Sequence, residues 1–123
     1  MAEGQRTECI HTDNNGVTVT AMSTQHKGNV LWGHSYMVSG LPGVSPAFMM
    51  IDFQKGPVKS NSPNGLTNEA LLAILIHRTE HLNTLFPCTQ NRHAINHMRM
   101  ALELLEARTN ERMERGVEGM DIA

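Results

Sequence analysis

Four histidines come in two pairs spaced by one helical turn, His77 with His81 and His93 with His97. Imidazoles at i and i+4 share one side of a helix, so two such pairs on neighbouring helices could form a four-nitrogen metal site. Arg108, Arg112 and Arg115 repeat at i, i+4 and i+7, which aligns three guanidinium groups able to clamp the phosphates of a nucleotide. Arg78 and Arg92 precede them. Phe53, Gln54, Asn64 and Asn68 supply one stacking face and several amide donors and acceptors, the equipment for a base edge and ribose hydroxyls. Cys88 could be a nucleophile with His81 or His93, but a Cys beside a hairpin turn is more often a small buried hydrophobe.

Each set has a plainer reading. Projected on a helix, both histidine pairs fall off the apolar stripes, on a flank or outer face, and no inward Asp or Glu completes a catalytic set. A solvated or oligomer-facing surface is the favoured reading, and neither a metal nor another cofactor is expected. Glu111 and Glu114 can neutralise part of the arginine ladder. Arg78 is harder to explain away, because a guanidinium bordering an apolar stripe needs an anionic partner. With no Walker loop and no Gly-x-Gly-x-x-Gly, any nucleotide is held by other means.

The elements that must position these residues are readable from patterning. Asp13-Asn-Asn-Gly16 is a turn signal, and Val17–Met22 alternates with the period of a strand. A second strand covers Val30–Val38, with Val30, Trp32, His34, Tyr36 and Val38 on one face and Trp32 and Tyr36 expected in the sheet core. After a Pro/Gly loop from Ser39 to Pro46, a third strand is expected over Ala47–Gln54. Thr67 is placed to cap a helix running to Leu85, with Leu71, Leu72, Leu75, Thr79 and Leu82 as its apolar stripe. Phe86-Pro-Cys breaks it. Thr89 then caps a second helix toward Arg115, striped by Ala94, Ile95, Met98, Ala101, Leu102 and Leu105. The short connection demands an antiparallel hairpin. The second helix outreaches the first and needs a further partner, and a hairpin on a small sheet buries little, so a homo-oligomer is expected. The tail from Gly116 to Ala123 is expected to be extended or loose.

The fold class is therefore α+β: residues 1–66 form a small antiparallel sheet with a linking loop, and residues 67–123 a two-helix hairpin and tail, within one structural domain overall. A chain of 123 residues fits that size. Its five aromatics leave a mostly aliphatic core. The net charge of −2 provides no basic field, so a nucleic-acid polymer is not the expected partner. All six arginines after Leu66 come without a single lysine, which suits forked contacts to phosphate or carboxylate. Cys9 and Cys88 have no Cys-x-x-Cys partner, and neither a signal peptide nor a membrane span is apparent, so a soluble cytoplasmic protein is expected.

Several pieces together carry a family resemblance: Ile51-Asp-Phe-Gln-Lys-Gly-Pro-Val-Lys59, Asn64-Gly-Leu-Thr-Asn-Glu-Ala-Leu-Leu-Ala-Ile-Leu-Ile-His-Arg78, Phe86-Pro-Cys with Asn91, Ala101-Leu, and Arg108-Thr-Asn-Glu-Arg112 through Gly119. With His34-Ser-Tyr-Met-Val-Ser-Gly40 before them, they resemble the phage Thoeris anti-defence proteins of the first type, whose helical hairpin is similar to that of the second anti-CBASS protein. The resemblance implies a non-enzymatic sponge in the host bacterial cytoplasm. Its ligands would be cyclic ADP-ribose isomers made by TIR proteins and, in the wider family, cyclic di- and trinucleotides, with hexameric assembly. The residues' own chemistry then assigns Phe53 to stacking on adenine, Gln54, Asn64 and Asn68 to polar contacts, and Arg78, Arg108 and Arg112 to the ligand's pyrophosphate, with Arg92 a further ligand-binding candidate. A metal-dependent hydrolase built on the histidine pairs, or a small protein-interaction module, is the alternative.

Overall fold

A computed structural model describes residues 5–26, 28–40, 48–56 and 62–117. Most of the expected Pro/Gly loop over 39–46 and the end of the tail lie outside these residues. The chain divides into two compact units. One holds the described residues up to Lys55 together with Pro63–Gly65, and the other those from Leu66 onward with Gly56 and Ser62.

The first unit is a four-stranded antiparallel sheet in the order β1-β2-β3-β4: Thr7–Thr12, Thr18–His26, Asn29–Ser39 and Phe48–Asp52. The expected turn at 13–16 joins β1 to β2. Asp13 Oδ1 accepts from the Asn15 and Val17 amides at 2.8 and 3.0 Å, an Asx turn closed by Gly16 at φ +83°. Patterning does not reveal β1, because Thr-Glu-Cys-Ile-His-Thr has no apolar alternation and every residue in it is exposed. It exists by pairing with β2, where Ser23 exchanges bonds with the Arg6 backbone: the Ser23 amide donates to Arg6 O at 2.8 Å and the Arg6 amide to Ser23 Oγ at 2.7 Å.

Two expectations for this unit are corrected. Trp32 is 43% exposed rather than core. It precedes Gly33, at φ +87°, where the pairing of β3 with β2 slips from Met22↔Ser35 to Thr24↔Leu31. This irregularity interrupts the regular alternation that placed Trp32 with Tyr36. β4 also stops at Asp52 rather than Gln54. The buried positions of the sheet include Ala21, Ser23 and Ser35, with Ser35 Oγ donating to Asp52 Oδ1 across the β3–β4 pair.

The second unit is a hairpin of α1, Asn68–Leu85, and α2, Thr89–Glu114. Thr67 caps α1 as expected, its hydroxyl accepting from the Ala70 amide at 3.1 Å, with Glu69 in the first turn. The cap of α2 falls one residue earlier than expected: Cys88 Sγ, not the Thr89 hydroxyl, accepts from the Asn91 amide at 3.4 Å. Asn83 Oδ1 holds the Cys88 amide at 3.0 Å and Asn91 Nδ2 donates to Phe86 O, which sets the connection between the helices.

α1 follows the expected stripe only in part, with Leu71, Leu72 and Thr79 half-buried. Ile76 is its buried residue, whereas Leu75 and Leu82 are 41% and 38% exposed. On α2, Ile95 is buried and Met98, Ala101, Leu102 and Leu105 are half-buried as expected, but Ala94 is exposed. Glu80 and Arg99 bridge the helices at 2.7 Å. α2 ends in a Schellman motif, the Gly116 amide donating to Met113 O at 3.0 Å and the Val117 amide to Arg112 O at 2.9 Å, with Gly116 at φ +73°. The chain through Val117 is therefore ordered by its cap rather than loose from Gly116.

Candidate functional site

In the sheet unit the candidates gather where β4 ends. Phe53 follows Asp52, and its amide donates to the His34 carbonyl at 2.7 Å. Its ring meets Tyr36 edge to face, centroids 5.8 Å apart and planes perpendicular. The His34 ring contacts the Gln54 carbonyl through Nδ1 at 3.1 Å, and since a carbonyl only accepts, Nδ1 carries the proton. Phe53 is half-buried, with the Tyr36 ring against it.

Gln54 and Asn64 meet, but by holding the loop. The Asn64 amide donates to Gln54 Oε1 at 2.9 Å, Asn64 Oδ1 accepts from the Lys55 amide at 2.8 Å, and Asn64 Nδ2 donates to Lys55 O at 3.0 Å. Asn64 thus mimics a strand partner for Lys55. Gly65 makes the approach possible, since a Cβ there would stand 2.5 Å from the Phe53 carbonyl carbon and 2.7 Å from its oxygen. The side chains expected to read a ligand are engaged in fixing the backbone beside Phe53.

The hairpin unit places the cations differently from a simple ladder. Arg108 is exposed and, among the described residues, has no ion-pair or hydrogen-bond partner; Arg78 is the same. Arg92 is exposed and donates to Thr89 Oγ1 at 3.3 Å. Arg115 pairs with Glu111 at 3.0 Å, the neutralisation expected of that carboxylate. Arg112 is only 6% exposed and donates to the Val117 carbonyl at 3.1 Å, tying down the helix end. Three guanidiniums in register along the helix therefore differ in state: one open, one buried in a cap, one paired. Asn68, the first residue of α1, is exposed.

The four histidines do not form one site. All are exposed, and among the described residues no group of three His, Cys, Asp or Glu is placed to hold a metal ion. Nor, among those residues, is any helix long and apolar enough to cross a membrane.

Residues 45–110 match the Acb2/Tad1 hairpin domain, more than half of the chain. The chain belongs to the Acb2/Tad1 hairpin family. It is also 44% identical over 70 residues to a protein of Bacillus phage SBSphiJ7 named Thoeris anti-defense 1, an alignment covering 56% of this chain and 49% of that protein. The chain thus spans about half the length of the curated relative it matches.

The Acb2/Tad1 hairpin segment contains Phe53, Gln54, Asn64, Asn68, Arg78, Arg92 and Arg108, and ends before Arg112. Outside it lie the residues that sequence reasoning did not connect to Phe53, namely His34 and Tyr36 on β3. The strand period puts both on one face of β3, but the contacts with Phe53 and Gln54 follow from the β3–β4 register, Tyr36 opposite Ile51, which no local pattern encodes.

Proposed function

We propose that this Acb2/Tad1 hairpin protein is a phage anti-defence sponge that binds cyclic nucleotide immune signals of the Thoeris type and holds them uncleaved. The observation that carries the reading is its 44% identity to the protein named Thoeris anti-defense 1. The available side chains suit that task. Phe53 offers a stacking surface, and Arg78 and Arg108 offer exposed guanidiniums without a described partner, which suit a pyrophosphate. Arg92 and Asn68 are exposed and complete the set; Gln54 and Asn64 serve chiefly by holding Phe53's neighbours in place, and Arg112 by ordering the end of α2.

A sponge works by mass action and slow release, so binding contacts suffice and no bond has to be broken. Cyclic ADP-ribose isomers are the first ligands to test, with cyclic di- and trinucleotides next. We further propose that the chain acts as a homo-oligomer, a hexamer by the family resemblance, in the host cytoplasm. The hairpin supports association: Ile74, Leu85, Phe86, Met100, Leu104 and Met113 are each more than half exposed, apolar side chains that another copy of the chain would cover.

The test is calorimetric titration with cyclic ADP-ribose isomers and cyclic di- and trinucleotides, followed by heat denaturation and chromatography of the released ligand. Tight binding and intact recovery are expected. Absence of a complex with every such ligand, or recovery of a cleaved product, overturns the proposal.

A further inference from the structure

α1 carries a pair of imidazoles that the ligand reading leaves unused. His77 and His81 stand one turn apart on exposed helix surface, their ring centroids 4.5 Å apart and their planes tilted by 35°. His81 Nδ1 lies 3.2 Å from the His77 carbonyl oxygen. The carbonyl can only accept, so Nδ1 is the protonated nitrogen and Nε2 keeps its lone pair. Metal-ligating histidines are commonly supported this way, one ring N–H given to a backbone carbonyl so that tautomer and ring orientation are set. Here the helix's own backbone supplies that support. His93 and His97 repeat the spacing on α2 and are exposed, but among the described residues they have neither the ring contact nor the carbonyl bond.

On the His77 side of the pair, though not beside His81, the surface carries more carboxylates than cations. His77 lines an open groove of about 300 Å³ that Glu80, Arg99, Glu103 and Glu106 also line. Glu80 is engaged by Arg99, while Glu103 and Glu106 have no ion-pair partner among the described residues. Because no set of three ligating side chains converges there, these carboxylates act through their field and the protein supplies two nitrogens.

We propose that His77 and His81 form a two-nitrogen chelate for a divalent transition-metal ion such as Ni²⁺, Cu²⁺ or Zn²⁺, with water completing the coordination. This differs from the four-histidine site considered from the sequence, and it requires none of Phe53, Arg78 or Arg108. Imidazole suits these ions, whereas Mg²⁺ and Ca²⁺ prefer oxygen ligands, and the affinity order should place Cu²⁺ above Ni²⁺.

The experiment uses the untagged full chain, titrated with Ni²⁺ and Cu²⁺ by calorimetry, with the electron paramagnetic resonance spectrum of bound Cu²⁺ recorded alongside. One ion per chain, tighter for Cu²⁺, and nitrogen hyperfine structure from two imidazoles are expected. Either His77→Gln or His81→Gln should abolish this binding with an unchanged circular dichroism spectrum, since glutamine is well tolerated on an exposed helix surface. The double change of His93 and His97 to Gln should retain it. Failure of the unaltered chain to bind either ion, binding that survives His77→Gln, or loss through the His93 and His97 changes alone overturns the proposal.

Discussion

Asn64 brackets the backbone of Lys55, taking its amide at 2.8 Å and giving a side-chain N–H to its carbonyl at 3.0 Å. Nine residues separate the two in sequence, so this one amide side chain closes a loop directly after Phe53. Because both bonds are solvent-exposed, their loss should cost about 1 kcal/mol or less each, too little to unfold the sheet. Asn64→Ala is therefore expected to leave the fold intact while removing hydrogen-exchange protection from the Lys55 amide. Asn64→Asp keeps the acceptor and should retain that protection, although it sets a carboxylate oxygen against the Lys55 carbonyl. Equal exchange in all three proteins would show that the bracket does not order the loop.

Gly65 leaves less room for change. A methyl group there would press on backbone atoms of Phe53 and Asp52 at 2.5 to 2.8 Å, and backbone cannot yield as a flexible side chain does. Gly65→Ala should destabilise the chain by about 1–3 kcal/mol, read as a lower urea midpoint. An unchanged midpoint would mean that the loop relaxes freely.

What was legible in the sequence followed from how local the physics is. Thr67 and Glu69 mark the start of α1 within a single turn, and the Asx turn at Asp13 needs only its next four residues. Gly116 is equally local as a Schellman glycine, but the residues after it lack the periodicity that would mark a helix end. The α1 seam could not be phased, since apolar residues occupy both the Leu75–Leu82 side and the Ile76 side and only packing against α2 chooses between them. β1 was hidden because its residues bury nothing. For the candidate site, residue types single out Phe53, Gln54 and Asn64, but whether an amide side chain faces a ligand or its own backbone depends on long-range closure.

Arg108 and Arg112 are expected to separate binding from stability. They lie one turn apart, yet Arg108 is exposed and Arg112 is buried against the Val117 carbonyl. Arg112→Ala should lower stability by about 1–3 kcal/mol by abandoning a part-buried acceptor and removing a buried, packed side chain. Arg108→Ala should change stability by no more than about 0.5 kcal/mol, as for a surface residue, and weaken binding of a cyclic ADP-ribose isomer at least about tenfold, the size of one charge-assisted contact. Thermal denaturation and calorimetry on the same two variants check both halves. A reversed assignment, with Arg112→Ala folded as well as wild type and Arg108→Ala unfolded, would contradict the burial pattern.

The exposed side of α1 sets the last expectation. Ile74, Leu75, Leu82 and Leu85 are 55, 41, 38 and 69% exposed, and Arg78 falls among them at helical spacing. Such a stripe faces either water at a cost or another apolar surface, and a second copy of the chain would cover it while bringing another Arg78 nearby. Ile74→Glu and Leu82→Glu put charge into that surface without touching the buried Ile76 or the Thr67 cap. Each should keep its helical circular dichroism, since glutamate is a good helix former, while sedimentation velocity shows a smaller species than the unaltered chain. If the unaltered chain already sediments as a monomer at micromolar concentration, or if both variants keep its size, this side of the hairpin is not where copies meet.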